Sequence, residues 1–287
     1  MLETYVLHLT KKCNMKCIYC YEEDKTSEYT WDEIKSTLDG IVKYNKKFAL
    51  EFLGGEPCLR TDLMCQVVDY LESFEDVEVT KYIITTNGTI INGELIDLLK
   101  NNKRVVWAAS IDGTRFGNFM RVMKDDKNSY DTVIKNFKTL QQELGDDTKQ
   151  LGCHMVTHPY NIGYYVDGVV NLYNQGFRFI DIGIVENTMI IDDQYCKEFL
   201  RQNEILSDMI KSGKLPGVEI GLFNSLRPKK DSKHYIKDDS GKVILETFGR
   251  ADGDIKDSDE YKTQGSYSEL GTMIPDIREK AYNYHNR

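Results

Sequence analysis

The sequence lacks the long apolar segments of a membrane protein. No stretch approaches the roughly 20 apolar residues that span a bilayer, and the N-terminus, MLETYVLHLT, has neither the basic start nor the apolar core of a signal peptide. The net charge of −9 argues against a broad nucleic-acid surface, because such surfaces need clustered Lys and Arg. These absences predict a cytoplasmic protein with neither a membrane nor an extensive nucleic-acid partner.

A disulfide framework is not expected either. Seven cysteines is an odd number, and a cytosolic chain keeps its thiols reduced. Three of the seven lie close together near the N-terminus. The others are scattered, and we expect them to be small buried hydrophobic side chains; they are Cys58, Cys65, Cys153 and Cys196.

Short β-rich segments alternate with helical patterns through the first two thirds of the sequence. Six strand–helix steps begin with TYVLHLT, and the last strand is FRFIDIGIVE. This alternation predicts an α/β fold, a partial (β/α)6 TIM-like barrel whose ligand site lies at the C-terminal ends of the strands. The predicted helices cover residues 31–46, 62–73, 93–100, 130–144, 163–175 and 193–211.

The pattern changes near residue 214. Residues 214–287 are rich in Lys, Asp, Gly and Ser, and YIKDDSGKVILE predicts two short strands around an Asp-Ser-Gly turn. ADGDIKDSDE predicts an acidic loop. We therefore expect residues 1–213 to form the barrel and residues 214–287 to form a small α+β extension that acts as a lid or substrate platform.

Cys13, Cys17 and Cys20 follow the first predicted strand in a C-x3-C-x2-C pattern. Three thiolates can bind a [4Fe-4S] cluster and leave one iron free to coordinate a small molecule and pass it an electron. A zinc site, which normally takes four protein ligands in a structural role, and three unrelated buried thiols are the alternatives. No two histidines lie at positions i and i+4 on one predicted helix face, and none receives a role; they are His8, His154, His158, His234 and His285.

The cysteine pattern resembles the signature of the radical S-adenosylmethionine (SAM) superfamily, C-x3-C-x-aromatic-C after the first strand. Tyr19 fills the aromatic position, and the resemblance implies that it packs beside the adenine of SAM. It also implies that the cluster, reduced by a flavodoxin- or ferredoxin-type donor, cleaves SAM to a 5'-deoxyadenosyl radical. That radical would then abstract a hydrogen atom from the substrate.

The segment EFLGGEP matches a second motif of the same superfamily. Gly54, Gly55, Glu56 and Pro57 follow the second predicted strand, one strand–helix step after the cysteines. Read alone, these residues predict only a turn at the end of a strand. The resemblance implies that the glycines let the backbone approach SAM and that Glu56 receives its ammonium group.

The ends of the third, fourth and sixth predicted strands carry further candidate SAM contacts. ITTNG and ASIDG match motifs of the superfamily, and the arginine downstream of ASIDG suits a carboxylate. A simple Asp-Gly turn and a solvated arginine are the alternatives. The residues implied to contact SAM are Thr86, Asn87, Ser110, Asp112, Arg121 and Val185, the last beside Glu186.

The order of these motifs resembles the SPASM/twitch branch, which includes peptide maturases. Two departures stand out: Asn118 replaces an acid common in that branch, and no cysteine follows Cys196, so we expect one cluster and no auxiliary ones. The branch implies a ribosomally made peptide as substrate. A small metabolite or nucleotide is the enzymatic alternative, and a non-catalytic iron-sulfur or zinc protein is the alternative of another class.

The first predicted strand begins almost at residue 1. We therefore expect peptide recognition to need either a separate leader-peptide-binding protein or the barrel itself.

Overall fold

The computed structural model describes residues 3–23, 25–145, 148–185, 189–224, 233–237, 243–248 and 270–287. Within these ranges one sheet has the strand order β7-β6-β5-β4-β3-β2-β1-β9-β8. The strands are β1 (Glu3–Thr10), β2 (Lys47–Gly54), β3 (Glu78–Thr86), β4 (Val105–Ser110), β5 (Leu151–Thr157), β6 (Phe179–Ile184), β7 (Glu219–Ile220), β8 (Lys233–Lys237) and β9 (Val243–Phe248). The helices are α1 (Trp31–Tyr44), α2 (Thr61–Glu72), α3 (Gly93–Asn101), α4 (Tyr130–Leu144), α5 (Tyr165–Gln175), α6 (Asp193–Lys211), α7 (Gly221–Asn224) and α8 (Leu270–His285).

Strands β1 to β7 lie in chain order, and each pairs in parallel with the next. A helix follows each of β1 to β6. The predicted partial TIM-like barrel is therefore confirmed, and the sheet is open because it ends at β7 on one side and β8 on the other. The two-residue strand β7 adds one strand to the six that the sequence predicts.

Local sequence signals explain where helices begin and end. Thr30 caps α1 in a reciprocal capping box with Glu33, and Asp192 accepts a hydrogen bond from the first turn of α6. Helix α5 ends, as predicted, at Gly176, whose φ is 112°. The amphipathic pattern of α1 buries Ile34, Leu38, Ile41 and Val42 against the sheet.

The two faces of the sheet have different partners because side chains alternate along a strand. Trp107 on β4 stacks on Phe137 of α4, with ring centroids 6.4 Å apart. The odd-numbered side chains of β4 therefore face the helices. Ser110 has the opposite parity and therefore faces the barrel interior. It is in register with His154 on β5, which is in register with Asp181 on β6. These three side chains form a row across the inner face.

In the C-terminal part, β8 and β9 extend the sheet and α8 packs against α6. Strands β8 and β9 pair antiparallel, which confirms the predicted hairpin strands, and β9 pairs antiparallel with β1. Ile277 and Ala281 of α8 are buried, and Lys211 at the end of α6 donates a hydrogen bond to the carbonyl of Tyr284. The predicted Asp-Ser-Gly turn and acidic loop lie outside the described residues. The division between residues 213 and 214 stays a prediction.

Among the helices described, none is both long and apolar enough to cross a bilayer.

Candidate active site at the strand ends

The cysteine loop, residues 11–23, follows β1 and is held on one side by the segment after β4. The Lys16 N–H donates to the Val122 carbonyl at 2.8 Å, and the Ile18 N–H donates to the Met120 carbonyl at 2.9 Å. These bonds join the cysteine loop to the segment after β4, which is about a hundred residues later in the sequence. The loop shape is thus fixed by tertiary contacts as well as by its own sequence.

Gly54 and Gly55 allow the backbone at the end of β2 to lie in close contact with the start of this loop. The Gly55 N–H donates to the Thr10 carbonyl at 2.8 Å. A Cβ at Gly54 would lie 2.0 Å from the Thr10 oxygen, and one at Gly55 would lie 2.2 Å from the Lys11 oxygen. Gly54 also has a φ of 136°, which other residues rarely adopt. The glycines therefore serve a close approach of two backbone segments, a role that the sequence motif did not reveal.

The Glu56 carboxylate joins the ends of β2 and β3. It is fully buried, and Oε1 accepts hydrogen bonds from the Cys58 N–H at 2.9 Å and the Thr86 hydroxyl at 2.6 Å. Oε2 accepts from the Asn87 N–H at 2.7 Å. Burial raises the pKa of Glu56, and these donors oppose the rise. A carboxylate accepts about four hydrogen bonds, so capacity remains for the ammonium group that the resemblance implies.

Asn87 connects the end of β3 to the cysteine loop. Its side-chain amide donates to Asn14 Oδ1 at 2.8 Å and approaches Cys13 Sγ at 3.8 Å. Cys13 Sγ also accepts from the Met15 N–H at 3.4 Å. Two N–H donors therefore face the sulfur, an arrangement that suits a thiolate bound to iron.

The three clustered cysteines are free thiols of one loop. Burial raises the pKa of Cys17 to about 11, and the neighbouring Cys13 and Cys20 add to that rise while Arg121 opposes it. Burial also raises the pKa of Cys13. Thiols bind iron as thiolates, so loading must displace these protons.

Three cysteines in one loop fit the ligand set of a [4Fe-4S] cluster. Within the described ranges, no three His, Cys, Asp or Glu side chains are spaced to hold one metal ion. A [4Fe-4S] cluster makes no such demand, because its cysteines bind different irons.

Tyr19, Asp112 and Arg121 form a buried group beside the cysteine loop. The Tyr19 hydroxyl donates to Asp112 Oδ2 at 2.5 Å, and Arg121 Nη2 donates to Asp112 Oδ1 at 2.9 Å. The Arg121 guanidinium lies 5.3 Å from the centroid of the Tyr19 ring, as in a cation–π contact. Asn118 accepts from the Asp112 N–H at 2.9 Å. This residue, which departs from the branch pattern, therefore positions the backbone of Asp112.

The remaining predicted residues also lie at strand ends. Ser110 ends β4, and Pro57 is buried directly after Glu56. Val185 follows β6, is buried, and its N–H donates to the Thr157 carbonyl at 2.9 Å. Glu186 lies outside the described residues. The structure thus brings the described candidates to one end of the sheet, while their contacts with SAM stay predictions.

Two histidines that received no role from the sequence lie near this end. His154 Nδ1 lies 2.9 Å from Asp181 Oδ2, and the space for its ring exists because residue 183 is glycine. His158 follows β5 and is buried, with its ring centroid 5.7 Å from that of Tyr19. Spacing along the sequence could not find them, because Asp181 lies on another strand and Tyr19 lies in the cysteine loop.

The scattered cysteines behave largely as expected. Cys58, Cys153 and Cys196 are buried, and Cys65 is partly buried against the core. The Cys58 thiol lies 3.5 Å from the Thr86 hydroxyl, which also donates to the Glu56 carboxylate.

The family model of the Radical SAM superfamily matches residues 7–162. This match covers more than half of the chain, and the chain belongs to the radical SAM superfamily. Enzymes of this superfamily use a [4Fe-4S] cluster and SAM.

Sequence relatives have different activities. The chain is 29% identical over 142 residues to the Fe-coproporphyrin III synthase of Methanosarcina barkeri, covering 48% of this chain and 34% of the relative. It is 29% identical over 133 residues to the GTP 3',8-cyclase of Clostridium perfringens, covering 43% of this chain and 40% of the relative. An uncharacterized protein of Methanocaldococcus jannaschii is 30% identical, over 47% of this chain and 48% of that protein. The chain thus spans less than half of the length of these relatives.

Solved structures share the fold. Native anSMEcpe with bound AdoMet and Cp18Cys peptide superimposes with a TM-score of 0.66 at 16% identity, covering 78% of this chain and 64% of the other. Streptococcus suis SuiB bound to S-adenosylmethionine gives a TM-score of 0.59 at 16% identity, covering 75% and 49%.

Proposed function

We propose that Cys13, Cys17 and Cys20 hold the single [4Fe-4S] cluster of this radical SAM enzyme. The observation that carries the proposal is the presence of three free thiols in one loop that the end of β2 and the segment after β4 hold in place. When bound and reduced, the cluster would supply the electron that cleaves the C5'–S bond of SAM into methionine and a 5'-deoxyadenosyl radical, which would take a hydrogen atom from the substrate. The surrounding residues bind and orient the reactants.

We assign the binding roles from the contacts around this loop. Asn87 donates toward the sulfur of Cys13 and stabilises its thiolate. The Arg121 guanidinium is buried beside Tyr19, where it can form an ion pair with the carboxylate of SAM. Asp112 accepts hydrogen bonds from Tyr19 and Arg121 and so positions both side chains. Glu56 is the candidate acceptor for the ammonium group of SAM.

We further propose that the substrate is a ribosomally made peptide or protein. The inner face carries Glu51, Asp181 and His154, groups that accept hydrogen bonds from amides, hydroxyls or amines. Two carboxylates there would repel the triphosphate of a nucleotide. The shared fold with SuiB, which has also been solved with its precursor peptide SuiA, agrees with this choice.

A small-molecule substrate is the second candidate. It is favoured by sequence similarity to the Fe-coproporphyrin III synthase and GTP 3',8-cyclase relatives.

We propose that the electron comes from a flavodoxin- or ferredoxin-type protein and that the reaction takes place in the cytoplasm. A separate leader-peptide-binding protein is the proposed partner for peptide recognition. Residues 214–287 are the proposed lid or substrate platform, because β9 extends the barrel sheet beside β1.

An anaerobic assay tests the cluster and the SAM chemistry. The protein is reconstituted with iron and sulfide, reduced with dithionite and given SAM, and 5'-deoxyadenosine is measured. We expect about four irons per chain and loss of cleavage in the Cys13→Ala/Cys17→Ala/Cys20→Ala variant. Cys65→Ala, which removes a thiol on α2, is the matched control and should retain both. Undiminished cleavage in the triple variant, or clearly more iron, would contradict the proposal.

A second assay separates the two substrate classes. Cp18Cys peptide and GTP are each added to the reduced enzyme with SAM, and 5'-deoxyadenosine formation and product mass are measured. Modification of the peptide supports the peptide proposal. A product from GTP favours the small-molecule alternative instead.

A further inference from the structure

His158 is a buried side chain with one ring nitrogen unpaired. The residue is 0% exposed, and within the described ranges no hydrogen-bond partner reaches its Nε2 atom. Buried polar groups in folded proteins almost always have a hydrogen-bond partner, so a buried nitrogen without one needs a specific cause. A ligand that binds beside the ring would supply the missing partner.

The surroundings of His158 determine which ring nitrogen carries the proton. The Tyr160 N–H donates to His158 Nδ1 at 3.2 Å, so Nδ1 acts as an acceptor. The neutral ring then carries its hydrogen on Nε2. Burial lowers the pKa of His158, which favours this neutral form. Nε2 is therefore a hydrogen-bond donor without an acceptor.

A second unpaired donor lies near the same aromatic ring. Arg121 is also buried, its Nε lacks a partner within the described ranges, and its guanidinium lies 5.3 Å from the Tyr19 ring centroid. The His158 ring lies 5.7 Å from that centroid. Two buried N–H donors thus lie near Tyr19 beside the cysteine loop, which indicates a ligand that presents acceptors to both.

The side chains around His158 favour a flat, neutral ligand next to its ring. Its ring centroid lies 5.8 Å from that of Phe119 as well as 5.7 Å from that of Tyr19. Aromatic faces suit another ring system better than a carboxylate, which needs a cation. The adenine of SAM is a flat heterocycle whose ring nitrogens accept hydrogen bonds. The charged Arg121 suits the carboxylate of the same molecule.

We propose that His158 Nε2–H donates a hydrogen bond to a ring nitrogen of the SAM adenine. The inference rests on the proposed SAM site and adds a side-chain contact that the sequence motifs do not contain. It makes His158 a residue that binds the cofactor, held in its tautomer by the backbone of Tyr160.

Equilibrium binding tests this contact without turnover. The dissociation constant of SAM is measured by anaerobic equilibrium dialysis on the cluster-loaded, unreduced protein. His158→Phe keeps a flat aromatic side chain and removes the donor, and we expect binding to weaken roughly three- to tenfold. His285→Phe makes the same change on α8, where the ring stacks on Phe223, and should leave the constant unchanged. Equal affinity in wild type and His158→Phe would overturn the inference.

SAM analogues test the same contact in the wild-type protein and so avoid any folding defect. In 1-deaza, 3-deaza and 7-deaza SAM, a C–H group replaces one ring nitrogen of the adenine. We expect one of them to bind roughly three- to tenfold more weakly than SAM to wild type, and to bind His158→Phe as well as SAM does. Equal binding of all three analogues to wild type would overturn the adenine contact. Failure of wild type to bind SAM itself would instead overturn the proposed SAM site.

Discussion

The Asn87 side chain and the Cys13 sulfur are joined by an N–H···S contact of 3.8 Å. The contact links the end of β3 to the cysteine loop, and the donor is itself held by Asn14. Hydrogen bonds to ligating sulfurs stabilise the reduced, more negative state of an iron-sulfur cluster. The reduction potential of the cluster therefore depends in part on Asn87.

We predict that Asn87→Leu makes this potential more negative. Loss of one hydrogen bond worth about 0.5–1.5 kcal/mol corresponds to roughly 20–60 mV for a one-electron couple. A redox titration followed by electron paramagnetic resonance measures the shift. Thr85→Val, on the same strand but facing Glu51, is the control and should leave the potential unchanged. An unchanged or more positive potential in Asn87→Leu would contradict the prediction.

Gly55→Ala is expected to disturb the cysteine loop. Its Cβ would lie 2.2 Å from the Lys11 carbonyl oxygen, and neither backbone can move without breaking the bonds between them. We expect loss of iron after reconstitution and a decrease of about 1–3 kcal/mol in the free energy of unfolding. Iron analysis and urea unfolding measure the two effects. Gly40→Ala, where nothing lies within 4 Å, should keep iron and gain roughly 0.5–1 kcal/mol.

The buried pair of Arg121 and Asp112 should matter far more than an exposed pair of the same type. Arg121→Met leaves a buried carboxylate without its cation, and we expect the free energy of unfolding of the cluster-free protein to fall by about 3–5 kcal/mol. Arg115→Met, which removes the exposed partner of Asp131, should cost less than about 1 kcal/mol. Urea unfolding of both variants gives the comparison. Similar losses in the two variants would mean that burial does not control the effect.

Gly183→Ala should displace His154 from Asp181. The new Cβ would lie 2.8 Å from His154 Nε2, closer than such contacts allow. We expect the free energy of unfolding to fall by roughly 1–3 kcal/mol with unchanged iron content. In a double-mutant cycle, His154→Ala should relieve most of this loss because it removes the colliding ring. Additive losses would show that the ring is not the obstacle.

The sequence predicts the arrangement of the elements well because each element carries its own periodicity. The helix over residues 130–144 is confirmed at both ends, and Gly176 ends α5 as predicted. Cysteines followed by GGEP and ITTNG also predict that the site lies at the strand ends. All of these signals lie within one element or one turn.

Contacts between distant elements could not be predicted in the same way. Glu56 binds Thr86, thirty residues away, and thereby joins two strand ends. Asn118 seemed only a departure from a motif, yet it holds the Asp112 backbone. His158 has no sequence signal at all, since its unpaired nitrogen becomes visible only when Tyr160 and Tyr19 are in place. Such relations depend on packing rather than on spacing along the chain.

The contact of Gly55 with Thr10 makes the cysteine loop depend on the rest of the barrel. Backbone hydrogen bonds from Gly55 and from the segment after β4 shape the loop. A substitution that loosens the end of β2 or the segment after β4 is therefore expected to lower the iron content as well as the stability of the fold.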